Sequence, residues 1–147
     1  MTPPGNTYAR RATLVLYEKP GCANNARQIL LLKNAGHEVI AKNILDEPWT
    51  AERLRMFFSG LSVPEWFNRA APRIKAGEIV PEVINATDAL ALMLVDPLLI
   101  RRPLMECSGK YIAGFDPARV ADWIGAPLVR NEHGDLQTCR RGAEKMP

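Results

Sequence analysis

Three cysteines, Cys22, Cys107 and Cys139, are the side chains best suited to covalent chemistry in this chain. Their odd number and the lack of CxxC pairing suit neither a disulfide scaffold nor a cysteine zinc site. Cys22 is singled out by its neighbours. It follows the turn signal Pro20-Gly21 and precedes a helical pattern, so it falls at a helix N-terminus. Unpaired backbone N–H groups and the helix dipole favour an anion there. Lys19 and Arg27 flank it with positive charge, and the thiolate is the nucleophilic form of cysteine. The plainer alternative is a small buried residue filling a turn. Asn24 and Asn25 then serve either as helix caps or as amides lining a pocket around the sulfur.

The second feature is Arg101-Arg102-Pro103, which follows the apolar run Leu98-Leu99-Ile100. An Arg-Arg pair there is commonly a solvated boundary. A proline just before a strand is more informative, because its peptide bond can be cis and set its loop against another loop at the sheet edge. If that loop faces Cys22, the Arg102 guanidinium holds an oxyanion at the sulfur. Cys107 and Cys139 are candidates to resolve an adduct on Cys22, against the plainer readings of a packed strand residue and an incidental thiol. His37 and His133 lack ligand-spaced partners, which argues against a metal site. The glycine-rich phosphate loops and base-reading motifs of nucleotide and nucleic-acid binders are missing.

The elements around these residues follow from pattern. At 147 residues the chain has room for one domain, and 47% hydrophobic with 24% charged residues is a globular balance. A net charge of +3 makes no case for direct nucleic-acid binding. The longest apolar run, Ala89 to Val95, stops at Asp96-Pro97, far short of the ~20 residues of a membrane span. No signal-peptide pattern opens the chain, and a cytoplasmic, reducing setting is expected. Thr13 to Tyr17 reads as a buried strand, Ala23 to Ala35 as a helix with Ala26, Ile29 and Leu30 on one face, and His37 to Ile44 as a second strand. Thr50 and Ser62-Val63-Pro64-Glu65 begin helical segments, and the stretch from Ala70 to Pro81 is expected to be irregular. A helix starting at Thr87 buries Leu90, Met93 and Leu94. Leu104 to Cys107 and Tyr111 to Gly114 form a hairpin, and Asp116-Pro117 caps a last helix. The sum is β-α-β, a helical insertion, then β-β-α: an α/β, thioredoxin-like fold with a four-stranded mixed sheet. The expected division is an N-terminal extension over 1–12, the domain over 13–127 with its insertion at about 50–95, and a polar tail over 128–147.

Tyr17-x-Lys19-Pro20-x-Cys22, the helix end Ala35-Gly36-His37 and the run from Asp96 to Leu104 resemble the glutaredoxin-dependent arsenate reductase and Spx family. The resemblance covers about residues 13–125. The stretch from Lys19 to Gln28, with Trp66-Phe67-Asn68 and Ala71-Pro72, is closest to the nitrogenase-associated proteins of that family. It implies that Cys22 is the catalytic cysteine and Arg102 the arginine before a cis-proline. Asn24, Asn25, Arg27, Arg101 and Pro103 are expected around the substrate. Glutathione, with glutaredoxin, would be the co-substrate, with no tightly bound cofactor and no metal. Three departures stand out: Ala26 and Asn68 replace family arginines, and the last anion-binding arginine falls near the uncharged Gly114. Each lost guanidinium removes about 2–4 kcal/mol of charge stabilisation by analogy with a deleted preorganised donor, which argues against efficient arsenate reduction. Asn25 stands three residues after Cys22, so the Spx-type CxxC switch is absent. Three functions are therefore weighed. One is a thiol oxidoreductase. The second is a regulatory protein docking on a nitrogen-fixation component or, as Spx does, on RNA polymerase. The third is a scaffold with an inert cysteine.

Overall fold

The computed structural model describes residues 11–128. Most of the expected N-terminal extension, and the tail with Cys139 and His133, lie outside the described residues. The central strand β1 (Thr13–Glu18) leads through helix α1 (Ala23–Asn34) into β2 (Glu38–Asn43), which pairs with β1 in parallel. The insertion follows: α2 (Ala51–Phe57), a 3₁₀ turn at Val63–Trp66, α3 (Pro72–Lys75), a 3₁₀ turn at Pro81–Val83, and α4 (Ala86–Val95). A further 3₁₀ turn at Pro97–Leu99 returns the chain to the sheet as β3 (Leu104–Cys107) and β4 (Lys110–Ala113), and α5 (Pro117–Ile124) closes the domain. The strand order is β2-β1-β3-β4, with β3 antiparallel to both neighbours. This is the mixed four-stranded, thioredoxin-like arrangement expected from the pattern.

The alternation of β1 divides the core in two. Leu14 and Leu16 point to the face covered by α1 and α5, with Leu31, Leu32, Met105, Phe115 and Val120. Tyr17 points to the other face and packs under the insertion with Leu54, Phe57, Met93 and Leu99. Both faces are covered, so β1 reads as nearly continuous hydrophobics. The local signals act as their chemistry demands. The Thr50 hydroxyl accepts the Arg53 N–H at 3.1 Å, and the Glu65 carboxylate reaches back to the Ser62 N–H at 2.9 Å. Ser108 and Gly109, both at positive φ, make a two-residue hairpin turn, so β4 begins at Lys110.

Four local expectations are corrected. Ala26 and Leu30 are exposed, because α1 turns Asn24, Asn25, Gln28, Leu31 and Leu32 inward instead. Part of the stretch expected to be irregular forms the single turn α3, opened by Pro72, whose missing N–H costs nothing at the first helical position. Leu94 is exposed because α4 buries only the face of Ala89, Leu90 and Met93. Asp116 occupies the cap position of α5, but its side chain makes no capping hydrogen bond.

Candidate functional site

The turn from Lys19 to Gly21, with Gly21 at φ 89°, delivers the chain from β1 into α1. Cys22 is the residue preceding the helix. Its N–H donates to the Lys19 carbonyl at 3.1 Å and its carbonyl accepts the Ala26 N–H at 3.1 Å. The Cys22 side chain makes no capping bond, is half-buried and lines a small pocket. The facing wall comes from the segment entering β3. There the Phe67–Ile100 bridge, Asn68 N–H to Leu99 O at 2.8 Å and Arg101 N–H to Trp66 O at 2.9 Å zip the insertion to the 98–101 segment. The Arg102–Pro103 peptide that follows is cis, as expected before the strand.

The pocket holds about 90 Å³ and is lined by Cys22, Asn24, Asn25 and Gln28 on one side and Asn68, Ala70 and Arg102 on the other. Arg102 is the one formally charged side chain in that lining. Two of the amides are committed to the fold. Asn25 accepts the Lys19 N–H at 3.2 Å and donates to Gln28 Oε1 at 2.8 Å. Asn68 donates to Leu98 O at 3.2 Å and accepts the Ala70 N–H at 3.1 Å. By contrast, Asn24 Oδ1 and Arg102 Nε are buried without a hydrogen-bond partner among the described residues. Buried polar groups in folded proteins are ordinarily paired, so these two orphans of opposite polarity, one on each side of the pocket, stand out.

The structure thus brings together Cys22, Asn24, Asn25 and Arg102. Arg27, Arg101 and Pro103, expected around the substrate, do not line the pocket. Gln28, rather than Arg27, carries the lining along α1. Arg101 turns away to donate to the Glu65 carbonyl at 3.1 Å, and it lies against Gly114, where an added Cβ would be 2.5 Å from its Nε. Burial depresses the Arg101 pKa, aided by the Arg119 charge and opposed by Glu65. Pro103 is buried, and its carbonyl accepts the Gly114 N–H at 2.8 Å.

Cys107 is corrected as a resolving thiol. It lies one residue past Glu106, which pairs with Val15, so it sits near the start of β1. Cys22 follows the far end of that strand. The strand alone separates the two levels by about 13 Å, against the ~7 Å Cα separation a disulfide tolerates. Cys107 instead packs with Leu14 and Met105 in the core below α1 and α5. Cys139 lies outside the described residues.

From the sequence Gln28 and Ala70 have no place in the pocket, and Asn68 enters only as the position of a missing family arginine. Gln28 had a signal, since positions three and four apart on a helix share a face and Asn24 and Asn25 were already in view. Asn68 and Ala70 reach Cys22 only through the tertiary bridge at Phe67.

The ArsC family model matches residues 9–123. A Rhodospirillum rubrum relative, described as an uncharacterized 15.7 kDa protein in the draG 3′ region, is 51% identical over 128 residues, covering 87% of this chain and 88% of its own. Among solved structures, an arsenate reductase from Vibrio cholerae superposes with a TM-score of 0.63 at 23% identity, covering 76% of this chain and 98% of that one. An arsenate reductase related protein from Brucella melitensis gives a TM-score of 0.58 at 25% identity, covering 75% and 92%. Cysteine loop, facing arginine and cis-proline thus occur in a chain whose family model spans nearly all of the described domain, and the chain belongs to the ArsC family.

Proposed function

We propose that this arsenate-reductase-like chain is a thiol oxidoreductase that works through Cys22 alone, with glutathione or glutaredoxin closing the cycle. The carrying observation is that Cys22 and Arg102 line one pocket whose other lining residues are four side-chain amides and Ala70. In the first step the Cys22 thiolate attacks a disulfide sulfur. A new bond joins Cys22 to that sulfur, the old S–S bond breaks, and its electron pair leaves on the second sulfur, which takes a proton from water. A glutathione or glutaredoxin thiolate then attacks the mixed disulfide and releases Cys22. Arg102 steadies the negative charge that builds on the leaving group.

The test is the second-order rate of mixed-disulfide formation at Cys22 with glutathione disulfide, read by mass spectrometry of the intact chain and of the Cys22 peptide. Cys22→Ser abolishes the adduct, and Arg102→Gln slows it about ten- to hundredfold, the range of one lost charge-assisted donor. A Cys22 no faster than a free cysteine in an unfolded peptide overturns the reading. With a single guanidinium lining the pocket, arsenate turnover with glutathione and glutaredoxin is expected to be weak.

The name of the Rhodospirillum relative places it in the draG 3′ region. That supports the nitrogen-fixation setting implied by the resemblance, with a protein of that system as the natural disulfide-bearing partner or docking target. Affinity capture from nitrogen-fixing cells tests it. A partner held equally by wild type and Cys22→Ser points to docking without chemistry, and a partner trapped only through a disulfide at Cys22 points to the oxidoreductase.

A further inference from the structure

We propose that the free edge of β2 is a self-association surface, and that its partner is a second copy of this chain paired antiparallel about Ile40. The strand order β2-β1-β3-β4 leaves β2 at one side of the sheet, with no strand beyond it among the described residues. The N–H groups of Glu38 and Ile44 donate inward, to Ala12 O at 2.9 Å and Glu18 O at 2.8 Å. Alternation along the strand therefore turns the N–H and C=O of Val39 and Ala41 outward, where no strand of the described domain pairs with them. The edge is also open on one face. Helix α1 covers the side on which Val39 packs, whereas α2 packs mainly against β3 and β4 and leaves Ile40 43% exposed.

The charge pattern identifies the occupant. Glu38, Ile40 and Lys42 alternate with Val39 and Ala41, so the three share one face of β2, and all three are exposed. Laid antiparallel on its own copy about Ile40, the strand sets Glu38 opposite the partner's Lys42 and Lys42 opposite the partner's Glu38. The two Ile40 side chains meet between these ion pairs, at a non-hydrogen-bonded position where facing side chains lie closest. Val39 faces the partner's Ala41, and each such pair exchanges both N–H···O bonds, which uses every outward group of Val39 and Ala41. Recentring the pairing on Glu38 or on Lys42 sets like charges face to face, so the charges fix the register as well as the partner. A lone lysine guards an edge strand against pairing; here the glutamate four residues earlier answers it. One Glu38 oxygen accepts from Thr13 Oγ1 at 3.3 Å, which leaves the other for the partner. The contact is isologous and closes at two chains, with β2 and its copy at the centre of a continuous sheet. It is a short ladder with exposed ion pairs, so the dimer is weak and salt-sensitive.

The experiment is sedimentation equilibrium on the full-length protein at concentrations up to about 0.5 mM, within reach of weak specific contacts. Reducing conditions keep disulfide-linked dimers out of the measurement. The wild type is expected to pass from monomer to dimer over that range. Lys42→Glu and Glu38→Lys each bring like charges together across the ladder and should weaken the dimer about tenfold or more. Mixed in equal amounts, the two variants regain opposite charges at both positions, and a dimer containing one chain of each is expected to form. Hydrogen exchange on the wild type needs no substitution and reads the register: the Val39 and Ala41 amides should exchange more slowly as concentration rises. A wild type that stays monomeric throughout overturns the proposal and leaves the edge to a strand of another protein. A dimer that persists unchanged in both single variants overturns it as well, by placing the contact elsewhere on the surface. So do single variants that associate no better together than apart.

Discussion

The Tyr17 hydroxyl donates to Glu106 Oε2 at 3.2 Å and accepts from an Arg53 nitrogen at 3.0 Å. Burial, then the Glu106 charge, pushes its pKa up to about 12, with Arg53 pulling the other way. Its neutral form is thus favoured in the fold, so the stability it contributes is complete below the ordinary pKa of about 10 and is lost as pH rises through about 12. An ultraviolet alkaline titration is expected to show one of the three tyrosines ionising late, and Tyr17→Phe should remove that component. His37 works in the opposite sense. It is buried, its Nδ1 accepts the Ala12 N–H at 3.0 Å, and burial together with the Arg11 charge lowers its pKa. The unfolded chain therefore takes up that proton first: stability is full above about pH 6.5 and declines as pH falls below it. Denaturant midpoints between pH 5 and 7.5 should show this slope, and His37→Gln should flatten it. Neither residue was legible as a titration site, because both shifts come from burial and from charges distant in the chain.

Short elements depend heavily on their ends. Helix α2 has seven residues, and its Thr50 cap also fixes the start of Arg53, which reaches Glu47 at 3.0 Å and lies 4.5 Å over the Trp49 ring. Thr50→Ala is expected to cost about 1 kcal/mol, read by denaturant unfolding. At the other side of the site, Gly114 holds φ 85° and gives room to the Arg101 guanidinium. Gly114→Ala brings a Cβ into that group and strains the backbone, so a loss of about 1–3 kcal/mol is expected. These elements were largely readable: Pro20-Gly21, Gly36 and Ser62-x-x-Glu65 mark turns and caps through local chemistry. The exceptions have local causes too. The apolar spacing of Ala26, Ile29 and Leu30 suggested a hydrophobic inner face for α1, yet its first turn buries asparagines because it borders the pocket.

On the scale of the molecule, the sheet keeps two chemistries apart. Cys22 opens at the end where β1 meets α1, and Cys107 lies in the core at the opposite end. Oxidation of the Cys139→Ser protein with diamide is therefore expected to form no internal disulfide, as read by non-reducing peptide mapping. Cys107→Ala should leave the rate at Cys22 unchanged. The two core clusters also share the load, and Leu99→Ala, which empties a fully buried site beneath the insertion, should cost about 2–5 kcal/mol in denaturant unfolding. The sequence by itself determined the order of strands and helices, the placing of Cys22 at a helix start and the proline before β3, because turns, caps and periodicity act over a few residues. Only the tertiary structure decided which residues share the pocket. Arg102 rather than Arg101 faces Cys22, Asn68 joins from the insertion, and Cys107 is removed, because strand register and the Phe67–Ile100 bridge act between segments far apart in the chain.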